Sequence, residues 1–270
     1  MSQSHIRESV EDGVLRLTKI NTGTRQGMSM SVIAGLNDAM DRVRKDRSIR
    51  AVVIDAAGDG FHNGAVMLGE MTDDFSTLTR KDYRRIIDLG HGLGRNMASI
   101  DVPIIGVAPT GALGGGLELL CRCDFIYTTR DARFSFPEVT LGLVAGWGGT
   151  QWAARFVPHR KAQEFLLLGE EIDGATAEDW NLVTRAFDDR ASLDAHVAKV
   201  CERLKYCAPV SLRWHKECLR ALWQGSLTEG EAVEARAVVD AMDEGVWFKP
   251  VEAFFAGKKW DYMADKAIDA

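Results

Sequence analysis

The sequence predicts an α/β fold followed by a C-terminal helical region, and three observations carry that expectation. Two continuous apolar runs, AVVID at 51–55 and IIGVA at 104–108, have the composition of strands buried on both faces. Apolar residues between and around them recur at helical spacing, so strands alternate with helices. From Gly148 onward the helical period dominates to the C-terminus, with one strand-like piece at LVTRAF, 182–187.

Each element follows from its residues. SHIRESVEDGVLRLTKI (4–20) alternates apolar and polar positions around Asp12-Gly13, a two-residue hairpin signal. Ser29 or Ser31 caps a helix whose apolar positions are Ile33, Leu36, Met40 and Val43. AVVID then forms a strand, and Gly58, Gly60 and Gly64 mark a loop. The polar stretch 72–82 is expected to be mobile, and a helix with Ile86, Leu89, Leu93 and Met97 follows. The IIGVA strand leads into GGGLELLCRC (114–123), a helix entered through glycines, and DFIYTT and RFSF are short strands. No repeat or low-complexity linker interrupts the chain, and no Pro/Ser-rich break precedes the helical tail. The organisation expected is a core over 1–200 with a helical region over 201–270 packed on it.

Composition limits the function classes. With 270 residues, 46% of them hydrophobic, the chain can bury a substantial core. A net charge of −6 argues against a nucleic-acid partner, because neutralising phosphates needs clustered Lys and Arg. The N-terminus lacks an apolar leader core, and the longest apolar runs, such as VPIIGVA, are far shorter than a bilayer requires, so no membrane partner is expected. Five cysteines (121, 123, 201, 207 and 218) fall mostly in helical patterns without metal-ligand spacing. They are expected to be structural thiols in a reduced, cytoplasmic setting, and no metal site is expected.

The candidate chemistry lies at GALGGGLE, 111–118. Glycines at a helix entry let backbone N–H groups approach a ligand with no Cβ in the way, and the helix start adds partial positive charge. Such a place suits a standing anion or a developing one such as an enolate. The spacing matches neither dinucleotide nor P-loop fingerprints, and a tight strand–helix packing turn would use the same glycines. Glu118 adds a carboxylate flanked by Leu117 and Leu119, where a purely structural residue would be apolar. Pro137-Glu138 precedes Gly142, Gly146, Gly148 and Gly149. Two carboxylates in apolar, glycine-lined surroundings can raise each other's pKa and share one proton for acid/base work. A lone Pro-Glu pair would otherwise belong to a solvent-facing loop.

Taken together, Ala112-Leu113-Gly114-Gly115-Gly116-Leu117-Glu118, Cys123-Asp124-Phe125-Ile126 and Phe136-Pro137-Glu138…Gly142…Gly146-Trp147-Gly148-Gly149-Thr150-Gln151 resemble the enoyl-CoA hydratase/isomerase (crotonase) superfamily. AVVIDAAGDGFHNGA (51–65), FLLLGEEIDGATAEDWNLVTRAF (165–187) and PVEAFFAGKKWDY extend the resemblance over nearly the whole chain. It implies a crotonase-type ββα superhelix, a C-terminal helical trimerisation region, and a homo-trimer or hexamer. It further implies an oxyanion hole of the Ala65 and Gly115 amides gripping a thioester carbonyl. Glu118 would activate water for attack on C3, and Glu138 would exchange the proton at C2. The expected activity is an enoyl-CoA hydratase-type lyase, with an acyl-CoA as substrate and no separate cofactor. A C–C bond hydrolase of a β-diketone or cyclic β-keto substrate and an enoyl-CoA isomerase are the alternatives, and a non-catalytic scaffold is disfavoured by retention of both glutamates.

The departures from the family pattern name further residues. Asn21-Thr22-Gly23-Thr24-Arg25-Gln26-Gly27-Met28 stands where the family usually reads NRP…NAL, near the CoA phosphates. Arg25, Gln26 and the helix-ending Lys258-Lys259 are therefore candidate CoA contacts. Gly64-Ala65-Val66 replaces the common GAD, with His62 just before it and Met67 just after. Trp147 beside Gly146 replaces a usually small residue. His62, Val66, Met67, Gly146 and Trp147 are the candidate substrate-pocket residues.

Overall fold

The computed structural model describes residues 5–269, and the α/β expectation holds throughout them. Ile6–Glu11 (β1) and Val14–Lys19 (β2) form the expected hairpin, with Glu11 opposite Val14 across Asp12-Gly13. Ser29, not Ser31, caps Met30–Val43 (α1), its hydroxyl accepting from the Val32 amide. Ala51–Ala56 (β3) is buried along its whole length. Met67–Met71 (α2) and Arg80–Ala98 (α3) follow, and the stretch between them holds a 3-10 turn at Phe75–Thr77 plus a capping box from Thr79 to Asp82. Ile104–Ala108 (β4), Gly111–Leu113 (β5) and Gly114–Leu120 (α4) form the glycine-entered unit. Phe125–Thr129 (β6), Arg133–Ser135 (β7), Gly149–Phe156 (α5) and His159–Leu168 (α6) come next. Ile172–Asp173 (β8), Gly174–Asp179 (α7), Arg185–Phe187 (β9) and Arg190–Leu204 (α8) complete the two sheets and their cover.

The main sheet has the order β1-β2-β3-β4-β6-β9, parallel from β2 onward. One of its faces packs on α1 and α3 through Ile33, Leu36, Met40, Leu93 and Met97. The other receives Leu193 and Val197 of α8, so a division at residue 200 falls inside that helix. The second sheet, β5-β7-β8, is continued by two isolated bridges, His62 to Ala112 and Met28 to Ala65. That continuation lays the 62–66 segment directly beside β5 and the start of α4.

Beyond α8, Pro209–Gln224 (α9) packs antiparallel to Leu227–Asp243 (α10), and Phe248–Phe255 (α11) ends the helical region. The chain then departs from expectation. Lys258 and Lys259 do not end a helix: they open Lys258–Asp261 (β10), which pairs with Lys266–Asp269 (β11). Gly257, at φ 71, breaks the helical path before them.

Close approach explains the last glycine of the triplet. A methyl on Gly116 would lie 2.2 Å from the His62 carbonyl oxygen and 2.5 Å from that of Asn63. Both are backbone atoms held by the second sheet and cannot step aside. Gly116→Ala is therefore expected to destabilise the protein by about 3 kcal/mol, the upper range for forced overpacking. Urea unfolding measures this, and a loss under about 0.5 kcal/mol, the range of neutral surface changes, would show that the 62–66 segment yields freely.

Candidate active site

Glu118 lies in the second turn of α4 and is 4% exposed. Its Oε1 accepts two backbone hydrogen bonds, from Trp147 N at 2.7 Å and Gly149 N at 2.8 Å. Four residues on, Arg122 Nη2 donates to the Trp147 carbonyl at 2.8 Å, and its guanidinium lies 4.8 Å from the Trp152 ring centre. Glu118 in α4 and Arg122 in the turn just after it thus grip the 147–149 turn through both its N–H and C=O groups. Burial pushes the Glu118 carboxyl up to about 7, against the lowering pull of its two amide donors, with nearby Glu138 raising it further. Desolvation dominates, and the mutual repulsion expected between the carboxylates is the smaller effect.

Glu138 sits in a 3-10 turn, Pro137–Leu141, started by the proline and closed by Gly142. It is half-buried, its Oε2 is shielded without a partner, and burial raises its pKa. A methyl on Gly114 would lie 2.9 Å from its Oε1, so this carboxylate reaches the entry of α4.

The amides of Ala65 and Gly115 come together beside the carboxylates. The bridge to Met28 uses the Gly64 carbonyl and the Val66 amide, which turns the Ala65 N–H to the opposite side. A methyl on Gly115 would lie 3.3 Å from the Ala65 nitrogen. Among the described residues neither N–H donates to a protein acceptor, and the Gly115 amide is one of the unpaired donors of a helix start. All four groups border one cavity of about 420 Å3. Val66, Gly146 and Trp147 also line it, as do Leu68, Tyr83, Ile87 and Val144, which the sequence reading did not single out. A second cavity of about 450 Å3, between α9 and α10, has Glu234 as its sole carboxylate and no comparable pair, so the chemistry points to the smaller one.

Two expected pocket residues lie elsewhere. Met67 is fully buried in the core. His62 is also fully buried, with Nε2 donating to the Val107 carbonyl at 2.9 Å and Nδ1 unpartnered. Burial holds its pKa well below the usual value, and nearby Lys19 pushes the same way. Both residues sit in the segment that carries Ala65, but their side chains point into packed interior.

The candidate CoA contacts also divide. Gln26 is 2% exposed, with Oε1 shielded and unpartnered, so its side chain offers nothing to an external ligand. Arg25 is exposed, pairs with Asp59 at 2.8 Å and stacks 3.8 Å over the Phe61 ring. Lys258 and Lys259 are exposed on β10. Arg25 and Gln26 both adopt left-handed backbone, φ 52 and 59. Lys19, a residue the sequence reading passed over, stabilises that turn: its buried Nζ donates to the Gln26 carbonyl at 2.6 Å. Asn21 Nδ2 donates to the Gly27 carbonyl at 2.7 Å. Burial lowers the Lys19 pKa to about 7.

All five cysteines are free thiols, and burial raises Cys121 to about 12, far from reactivity. Among the described residues no group of three His, Cys, Asp or Glu could hold a metal ion, and no helix is long and apolar enough to cross a membrane.

Comparison with known proteins finds similarity along nearly the whole chain. The family profile described as enoyl-CoA hydratase/isomerase matches residues 11–263. A probable enoyl-CoA hydratase of Bacillus subtilis is 27% identical over 258 residues, covering 94% of this chain and 97% of that protein. The 2,3-dehydroadipyl-CoA hydratase of Escherichia coli is 29% identical over 231 residues, covering 86% and 88%. The crystal structure of an enoyl-CoA hydratase from Bacillus anthracis superposes with a TM-score of 0.87 at 22% identity, covering 94% and 96% of the two chains, and shows the crotonase fold.

The displaced pKa values set opposing pH dependences of stability. Glu118 is raised from 4.5 to about 7, so the folded state holds its proton longer, and stability falls as pH rises through that window. Lys19 is lowered from 10.5 to about 7, so stability rises between pH 7 and 10.5. His62, also lowered, costs stability as pH falls below its ordinary 6.5, which partly masks Glu118 in the wild type. Comparing variants isolates each group. Between pH 4.5 and 7.5 the wild type should lose on the order of 3 kcal/mol relative to Glu118→Gln. Lys19→Met should lack the alkaline gain. Parallel urea-unfolding curves for wild type and Glu118→Gln across this range would refute the Glu118 assignment.

Proposed function

The chain belongs to the enoyl-CoA hydratase/isomerase family, and on that premise we propose that it adds water to, or removes it from, the C2–C3 double bond of an α,β-unsaturated acyl-CoA. One observation carries the reading: two carboxylates with raised pKa border the same cavity as two unpaired backbone amides. The Ala65 and Gly115 N–H groups donate to the thioester oxygen. Ionised Glu118 takes a proton from water as its oxygen bonds to C3. The π electrons of the double bond move to C1–C2 and onto the carbonyl oxygen, where the two amides hold the enolate. Protonated Glu138 then delivers a proton to C2, and the carbonyl re-forms. Water and the thioester are the only reactants, so no separate cofactor enters the step.

A carboxyl near 7 suits the base role, because it is ionised in useful amount at neutral pH and still basic. Isomerisation can be run with one proton carrier, so two carboxylates at the cavity favour hydration. Product NMR separates hydration from ring-opening hydrolysis, which adds the same mass of water. For the CoA phosphates we assign exposed Arg25, Lys258 and Lys259, which present cations as phosphate recognition requires. Glu118→Gln and Glu138→Gln are each expected to lower kcat by at least ~100-fold with circular dichroism unchanged. Near-wild-type hydration by either variant would remove that residue from the mechanism.

The C-terminal region bears the proposed assembly surface. Leu227, Phe254 and Phe255 are 75%, 73% and 82% exposed, and Met242 and Phe248 are also exposed. Apolar surface in that density is more often an interface than a solvated face. We propose a homo-trimer or hexamer built on 201–270, and light scattering at micromolar concentration should report one. A monomer would contradict it.

A further inference from the structure

Trp147 does two separate things. Its backbone amide holds Glu118, while its indole is inserted between α3 and α4. The ring is 6% exposed, and Nε1 donates to the Ile86 carbonyl at 3.0 Å. Gly90, one helical turn after Ile86, provides the seat. A methyl there would fall 2.1 to 2.3 Å from three indole carbons. On the opposite side, a methyl on Gly115 would lie 2.8 Å from the ring. The ring is therefore fixed by packing and a buried hydrogen bond, as a plug rather than a swinging gate.

The plug separates two spaces. On one side lies the 420 Å3 cavity, and on the other a void of only about 10 Å3 walled by Met28, Leu93, Met97, Leu119 and Arg122. Gly115, Glu118 and Trp147 border both. The large cavity is walled by apolar side chains such as Ile86, Ile87, Leu143 and Val144, and no Lys, Arg or His lines it. Its charged groups are the two glutamates themselves.

We propose that Trp147 determines the depth of the acyl site, and that the acyl group is uncharged, apolar and short in the direction of α3 and α4. The proposal rests on the hydratase reading for its substrate class. A second carboxylate in the acyl group would be desolvated beside two glutamates, with no cation among the residues lining the cavity, a costly burial. A straight chain pointing inward meets the indole face instead of the space behind it. Removing the ring joins that space to the cavity.

Two comparisons test this. In the wild type, 2,3-dehydroadipyl-CoA should show kcat/KM at least ~10-fold below that of trans-2-hexenoyl-CoA, which has the same carbon number without the far carboxylate. Equal or better use of the diacid would overturn the uncharged-acyl assignment. For depth, the ratio of kcat/KM for trans-2-decenoyl-CoA over crotonyl-CoA should rise at least ~10-fold in Trp147→Ala and stay near wild type in Trp147→Phe. A ratio cancels general damage to Glu118, because both substrates meet the same protein. An unchanged ratio in folded Trp147→Ala would overturn the depth assignment. Should that variant fail to fold, Gly90→Ala, which pushes the ring toward the cavity, should lower the ratio, and no change there counts against the plug. If the wild type hydrates no enoyl-CoA, the hydratase reading fails on its own. Depth is then read from thermal stabilisation by decanoyl-CoA relative to butyryl-CoA, which should grow only when the ring is removed.

Discussion

The site is organised around one carboxylate that is buried and still hydrogen-bonded. Glu118 Oε1 accepts the Trp147 and Gly149 amides, and Arg122, one turn later, donates to the carbonyl of the same turn. Without those donors a carboxylate 4% exposed would be a large desolvation cost with nothing to offset it. With only one oxygen so engaged, the other has no protein donor among the described residues. The group is held in position yet not stabilised enough to be an ordinary acid, which leaves it near neutrality. The turn it grips starts α5 and carries the indole that bounds the cavity, so carboxylate, pocket wall and helix start are fixed together.

The second constraint is the register of the 62–66 segment. It is bridged to Met28 on one edge and to Ala112 on the other, and pressed against Gly116 from below. Its direction leaves the Ala65 N–H pointing toward Gly115. Lys19 supports this from the interior by fixing the left-handed Gln26 just before Met28. A buried lysine without a carboxylate partner among the described residues is costly. Here it satisfies a carbonyl that a non-glycine left-handed turn would otherwise leave buried.

Much of this was legible in the residues. The apolar runs at 51–55 and 104–108, the helical spacing of Ile33, Leu36, Met40 and Val43, and the Asp12-Gly13 turn all became the elements they predict, because each pattern is local. The glycines beside Glu118, with Pro137-Glu138 downstream, located the cavity. The failures share a cause: exposure of a lone side chain is a tertiary property. His62, Met67 and Gln26 stand next to site residues in sequence, yet their side chains turn inward where the bridges at His62 and at Met28–Ala65 fix the local backbone. Lys258 and Lys259 left the helix at Gly257, a stop signal present in the sequence and outweighed there by the helical pattern before it. Lys19 ends an alternating strand on its buried side and carries no sequence signal of its role. Arg122 did carry one, since it follows Glu118 by four residues, although the helix ends at Leu120 and leaves it in the next turn.

Burial of Glu118, opposed by two amide donors, raises its carboxyl to about 7 in the folded protein. Difference infrared spectroscopy between wild type and Glu118→Gln isolates its protonated C=O stretch, and following that band with pH gives the titration of this one group. A midpoint close to 7 is expected, with the band still present at pH 6. A midpoint near the ordinary 4.5, with no protonated band at pH 6, would contradict it.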